Sequence, residues 1–149
     1  MAETDLIDLY SKSILALAAD IPHLGRLTEP AGTARRRAPL CGSVVTVDLD
    51  TEAGRVTRFA QDVKACALGQ AAASVVGHNV IGQDRAAIAA ARDQLAAMLA
   101  GDGAVPAPPF DGLQVLTPAA GFANRHASIL LSLDATLDAL DAAAAAHCA

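Results

Sequence analysis

The chain has 149 residues, 53% of them apolar but only 3% aromatic, with no Trp and a formal net charge of −5. That length suits one domain around one core, and the reliance on Ala over bulky side chains points to closely packed helices. The acidic balance argues against nucleic acid, whose phosphates need a basic face, and no apolar run reaches the roughly 18 residues of a membrane span.

The start Met1-Ala2-Glu3-Thr4-Asp5 is acidic where a signal peptide is basic, so a soluble, cytoplasmic protein is expected, monomeric or weakly self-associating. In a reducing compartment three cysteines, an odd number, speak for metal binding or thiol chemistry over disulfides.

From Asp5 to about Ala19, Leu6, Leu9, Tyr10, Ile14 and Leu17 recur at steps of three and four, the stripe of an amphipathic helix that Pro22 ends. Pro22 to Leu40 has no sustained period and reads as an irregular approach segment. Within it, Arg35-Arg36-Arg37 reads as solvated loop charge, with docking onto an acidic partner as the functional alternative. Val44 to Asp50 switches to period two, with Val45, Val47 and Leu49 on one face and Thr46, Asp48 and Asp50 on the other, the aspartates solvated. Thr51-Glu52-Ala53-Gly54 turns the chain back into a strand at Arg55 to Phe59, and a third short strand is placed at Gln61 to Lys64.

Cys66 opens an Ala-rich helix, Ala65 to Val76, that Gly77 closes. The next helix, Asp84 to Ala100, has Asp84 as its N-cap and Gly101 as its stop. Gly101 to Gly112, with three prolines, is a surface loop inside the domain. A last helix runs from about Asn124, its candidate cap, to Ala145, and the low-complexity tail from about Ala142 is expected to fray into disorder. The sum is an α+β fold in a single domain over residues 1–149: an N-terminal helix, a small antiparallel three-stranded sheet, and helices packed on one face of it.

Two thiols and a histidine carry the candidate chemistry. Cys41 precedes a Gly and a strand. Cys66 stands in a helix's first turn, where the backbone dipoles favour a thiolate and Lys64 acts the same way. His126 opens the last helix. Each has a bland counterpart, because a lone cysteine is more often a small buried hydrophobe and a histidine after a loop a surface residue. His78 reads as a helix C-cap and His23 as an exposed loop residue; Cys148 is given no role.

Together, Cys41-Gly42 before a hairpin, Cys66-Ala67-Leu68 opening an Ala/Ser-rich helix, and Arg125-His126-Ala127-Ser128-Ile129-Leu130 opening the last helix resemble the NifU/IscU-type iron–sulfur cluster scaffold family. The resemblance runs from Asp8-Leu9-Tyr10 to the final helix. The long interval between Cys66 and His126, extended over Ala87 to Pro109, is similar to the NifU-like and SufU-type subgroup.

The resemblance implies a site in which three cysteines and an aspartate bind zinc or hold a nascent cluster. Cys41 matches the first cysteine and Cys66 the second, while Ser43 stands at the aspartate. The third cysteine is missing: pairing the helix starts places His126 there, whereas aligning Ala-Ser-Ile-Leu places Ala127 there and makes His126 match the histidine that precedes the cysteine in some members. The implied metal ligands are Cys41, Cys66 and His126, with Ser43, water or a partner's thiol as the fourth, around a transient iron–sulfur cluster or Zn2+. The implied partners are a cysteine desulfurase and iron–sulfur recipient proteins. No Leu-Pro-Pro-Val-Lys motif lies around Leu116-Thr117-Pro118, so a dedicated chaperone is not expected. Three functions stay open: a non-enzymatic assembly scaffold, a zinc-dependent sulfur acceptor using Cys41, and a degenerate binding module that keeps only the fold.

Overall fold

A single antiparallel sheet in the order β1-β2-β3 is built from β1 (Gly32–Arg37), β2 (Val44–Glu52) and β3 (Arg55–Lys64). The computed structural model describes residues 11–148; of the helix expected from Asp5, the part before Ser11 lies outside them. Helix α1 (Lys12–Ala18) precedes the sheet. After the sheet come α2 (Ala67–Asn79), α3 (Arg85–Leu99), a 3-10 stretch (Asp111–Gly121), a short turn (Ala123–Arg125) and α4 (His126–Cys148). No helix among the described residues is long and apolar enough to cross a membrane.

The alternation in β2 sends Val45, Val47 and Leu49 into the core, where they are no more than 1% exposed. Ala53 and Gly54 both take positive φ, 52° and 79°, between the paired residues Glu52 and Arg55. This is the two-residue turn whose twist matches that of the flanking strands. β3 then continues to Lys64, so the segment expected to be a separate third strand at Gln61 is part of it.

The true third strand is β1, inside the segment read as irregular. Its arginine triplet is an edge strand, with Arg35 opposite Thr46, Arg36 opposite Val45 and Arg37 opposite Val44. Arg36 reaches across to Asp138 of α4 at 2.8 Å, while Arg35 and Arg37 alternate to the other face and stay exposed. Three like charges in a row hide the alternation that pairing with β2 imposes.

Asp48 is also not solvated. It is 0% exposed and accepts from Arg26 Nε at 2.7 Å, Thr33 Oγ1 at 2.8 Å and the Leu27 backbone N–H at 3.0 Å. The loop between α1 and β1 folds over Asp48 on that face of the sheet. The same loop pairs with β3: Gly25 N–H donates to Gln61 O and Gln61 N–H donates to His23 O, both at 2.9 Å. At the other end of β3, Val56 exchanges bonds with Gln83 and Gly82 at 3.0 and 2.8 Å.

Helix α4 is the central element, packed on β1, β2, α2 and α3. Asp134, Asp138 and Asp141 on its polar side receive Arg92, Arg36 and Arg85 at 2.9, 2.8 and 2.7 Å. It is helical to Cys148, and within it Ala143 is buried against Gly32 of β1. Asn124 lies within the short turn that precedes α4. Gly77 lies inside α2 rather than closing it. A Cβ there would meet Gln61 Nε2 at 2.7 Å and Pro22 Cγ at 2.8 Å, so the glycine lets the helix pass close beneath both. Helix α3 starts where expected, with Asp84 accepting from Ala87 N–H at 2.9 Å.

Candidate functional site

Cys41 sits at the tip of the loop joining β1 to β2. Ala38 N–H donates to Ser43 O at 2.8 Å and Gly42 N–H donates to Ala38 O at 3.0 Å, closing the loop on itself. Gly42 supplies the left-handed φ of 72° that this closure needs. The thiol is exposed, and Leu40 beside it is 77% exposed. Cys66 is the N-cap residue of α2 and is half-buried.

Ser128 of α4 joins the two thiols. Cys41 Sγ lies 3.2 Å from Ser43 Oγ, Ser43 Oγ lies 2.9 Å from Ser128 Oγ, and Ser128 Oγ lies 3.6 Å from Cys66 Sγ. Both serines are buried. Gly69 makes the approach possible, since a Cβ on it would stand 2.7 Å from Ser128 Oγ. Three separate parts of the chain thus meet in one hydrogen-bonded line of sulfur and oxygen.

Burial pushes the Cys41 thiol up, but the Ser43 hydroxyl and N–H, the Ser128 hydroxyl and the charge of Arg125 together hold it below its ordinary value. Burial likewise raises Cys66, and the Gly69 N–H, Ser128, the Leu68 N–H and Arg125 together outweigh it. Cys66 takes no full cap hydrogen bond through its sulfur, so the α2 N-terminus acts on it by proximity. Replacing Ser128 by Ala removes a partner from both sulfurs. The iodoacetamide alkylation rate of Cys41, followed by mass spectrometry against pH, is expected to shift to higher pH. An unchanged profile would separate Ser128 from the thiol.

His126 is placed differently. Its Nε2 lies 2.9 Å from Ala119 O, to which it donates, at the end of the 3-10 stretch. Among the described residues no three His, Cys, Asp or Glu side chains stand close enough to share a metal ion. The structure therefore brings Cys41, Ser43 and Cys66 together, adds Ser128, and leaves His126 outside that group. Zinc in a closed site takes four strong ligands from Cys, His or carboxylate. Two thiols and two hydroxyls do not make a closed zinc site. Elsewhere, His78 faces Asp20 at 3.7 Å in the last turn of α2, and His23 is exposed with its ring edge-on to Phe59 at 6.2 Å.

Ser128 escaped the sequence reading, although a signal for it exists. Ser128, Ser132 and Thr136 recur every four residues on an otherwise apolar face of α4, and all three are buried. Ser132 donates to Gln61 Oε1 at 3.4 Å and Thr136 to the Ser132 carbonyl at 2.7 Å. This hydroxyl stripe points along the helix to the thiols.

A small α+β domain thus presents two free thiols from a turn and a helix start, joined through buried hydroxyls, which makes it a thiol-presenting domain. The NifU-like N terminal domain model matches residues 9–115, and the chain belongs to that family. It is similar to a nitrogen-fixing NifU-like protein (N-terminal) from Brucella abortus, with 41% identity over 95% of this chain and 98% of that one and a TM-score of 0.91. It shares its fold with a SufU protein from Fervidobacterium islandicum, described as a putative iron–sulfur cluster assembly scaffold protein for the SUF system. That match has 17% identity over 90% of this chain and 98% of that one, with a TM-score of 0.79. No curated protein matches the chain.

Proposed function

We propose that this chain is a scaffold of iron–sulfur cluster assembly in which Cys41 and Cys66 receive sulfur and hold the nascent cluster as cargo. The observation that carries the reading is the pair of thiols on one line of hydroxyls at the rim of a NifU-like fold. Cys41 is the exposed thiol and the one a cysteine desulfurase would reach first. Ser43 and Ser128 would stand beside the cargo as weak oxygen donors. His126 would join as a ligand only by turning its ring away from Ala119 O. Two thiolates grip a cluster less firmly than the four cysteines of a storage site, which suits release to recipient proteins. The cytoplasm is the compartment in which both thiols stay reduced.

The test is anaerobic reconstitution with ferrous iron and sulfide, read by bound iron and visible absorption. Wild type is expected to take up both, and Cys41→Ser and Cys66→Ser to lose uptake while keeping the wild-type circular dichroism. Unchanged uptake in both variants, or none by wild type, would overturn the reading. The zinc-dependent alternative keeps Cys41 as sulfur acceptor and asks for an ion that Cys41 and Cys66 would hold only with the His126 ring turned away from Ala119 O.

A further inference from the structure

We propose that Cys41 and Cys66 act as a persulfide-resolving pair, in which Cys41 accepts sulfane sulfur and Cys66 discharges it as hydrogen sulfide. The inference rests on the sulfur-accepting half of the function proposed above, and gives that site a reaction of its own. Two observations lead to it. The first is the donor set: with hydroxyls at Ser43 and Ser128 and His126 held by Ala119, the site has two thiols and no strong third ligand, so both sulfurs are free for sulfur chemistry. The second is their unequal access. Cys41 stands exposed on a turn, open to a bulky sulfur donor, while Cys66 is half-buried with its sulfur 3.6 Å from Ser128 Oγ.

The chemistry balances with the groups present and two small-molecule classes. A persulfide donor, R–S–SH, passes its outer sulfur to Cys41, giving R–SH and Cys41–S–SH. Cys66 then attacks the inner sulfur of that persulfide. The new bond is the Cys41–Cys66 disulfide, and the S–SH bond breaks to release hydrogen sulfide. The sulfane sulfur is reduced to sulfide by two electrons, which the two thiol sulfurs supply in becoming a disulfide. The Cys66 proton can move to the departing hydrosulfide along Ser128 and Ser43, which already link the sulfurs at 3.6, 2.9 and 3.2 Å. An external dithiol, oxidised in turn, restores both thiols.

The test uses the full-length, metal-free, reduced protein with Cys148→Ser, so that only the two site thiols react. Glutathione persulfide is added without iron or desulfurase, and products are read by alkylation and peptide mass spectrometry alongside released sulfide. The expected result is a Cys41–Cys66 disulfide with one sulfide released per chain above the donor-only background. With Cys66→Ser added, the persulfide should persist on Cys41 and the extra sulfide disappear; with Cys41→Ser, neither product should form. A persulfide that persists on Cys41 in the presence of Cys66, without disulfide, would overturn resolution and leave sulfur acceptance standing. No persulfide on Cys41 even in Cys66→Ser would overturn both, while cluster binding is judged separately by reconstitution.

Discussion

Gly32→Ala should lower the unfolding free energy by about 3 kcal/mol, read as a fall in the urea midpoint at unchanged m-value. Gly32 lies where β1 passes under α4. A Cβ there collides with the Ala139 carbonyl and stands 2.8 Å from the Ala143 backbone N. Overpacking is tolerated when a flexible side chain can give way, but here both obstacles are helix backbone. The strand must lift or the helix must shift. Gly121→Ala is the matched control, because its Cβ would meet nothing within 4 Å and its φ is not positive; it should change stability by less than about 0.5 kcal/mol. Since β1 leads directly into the Cys41 turn, Gly32→Ala should also loosen the site.

Asp48→Ala should cost about 3 kcal/mol, because it strips charge-assisted bonds from a buried carboxylate and leaves the Leu27 N–H and Thr33 hydroxyl without their acceptor. Burial alone would raise this carboxyl's pKa, but the bonds from Arg26, Thr33 and Leu27 and the charge of Arg26 hold it below the ordinary value. A carboxyl that ionises more readily in the folded state contributes stability that is complete above its unfolded pKa of about 3.9. That contribution is lost as pH falls through the depressed folded value. Wild type should therefore lose stability more steeply than Asp48→Ala on acidification below about pH 4. Denaturant melts of both proteins across that range check the sign, and parallel curves would show that Asp48 contributes no such linkage.

The parts of the fold legible in the sequence were those fixed by local pattern. The period-two run of β2, the Ala53-Gly54 turn and the Asp84 cap each declare themselves within a few residues. What was illegible depended on residues far away. Strand β1 exists because β2 lies beside it and Asp138 meets Arg36, and nothing within Arg35-Arg36-Arg37 announces either. Asp48 was correctly placed on the face opposite the valines, but only the folded loop around Arg26 covers that face.

The site divides in the same way. Cys41 and Cys66 stood out as thiols at a turn and a helix start. The third position was ambiguous because the start of α4 fixes the register only to within a residue or two. His126 and Ala127 were the two candidates, and the close packing of Gly69 against α4 sets Ser128 3.6 Å from Cys66 Sγ, a contact that neither register announces.

The pairing of the outer edge of β3 with Gly25 and His23 at one end, and with Gln83 and Gly82 at the other, bears on how copies of this chain behave in a crowded solution. A sheet grows by adding strands to an unpaired edge. On the β3 side those pairing groups are already taken at both ends, and on the β1 side an incoming copy would bring its own arginines against Arg35 and Arg37, cation facing cation. Edge-to-edge polymerisation is therefore opposed from both sides, by occupied hydrogen bonds on one and by charge on the other, which favours a sheet of three strands with Cys41 open to solvent.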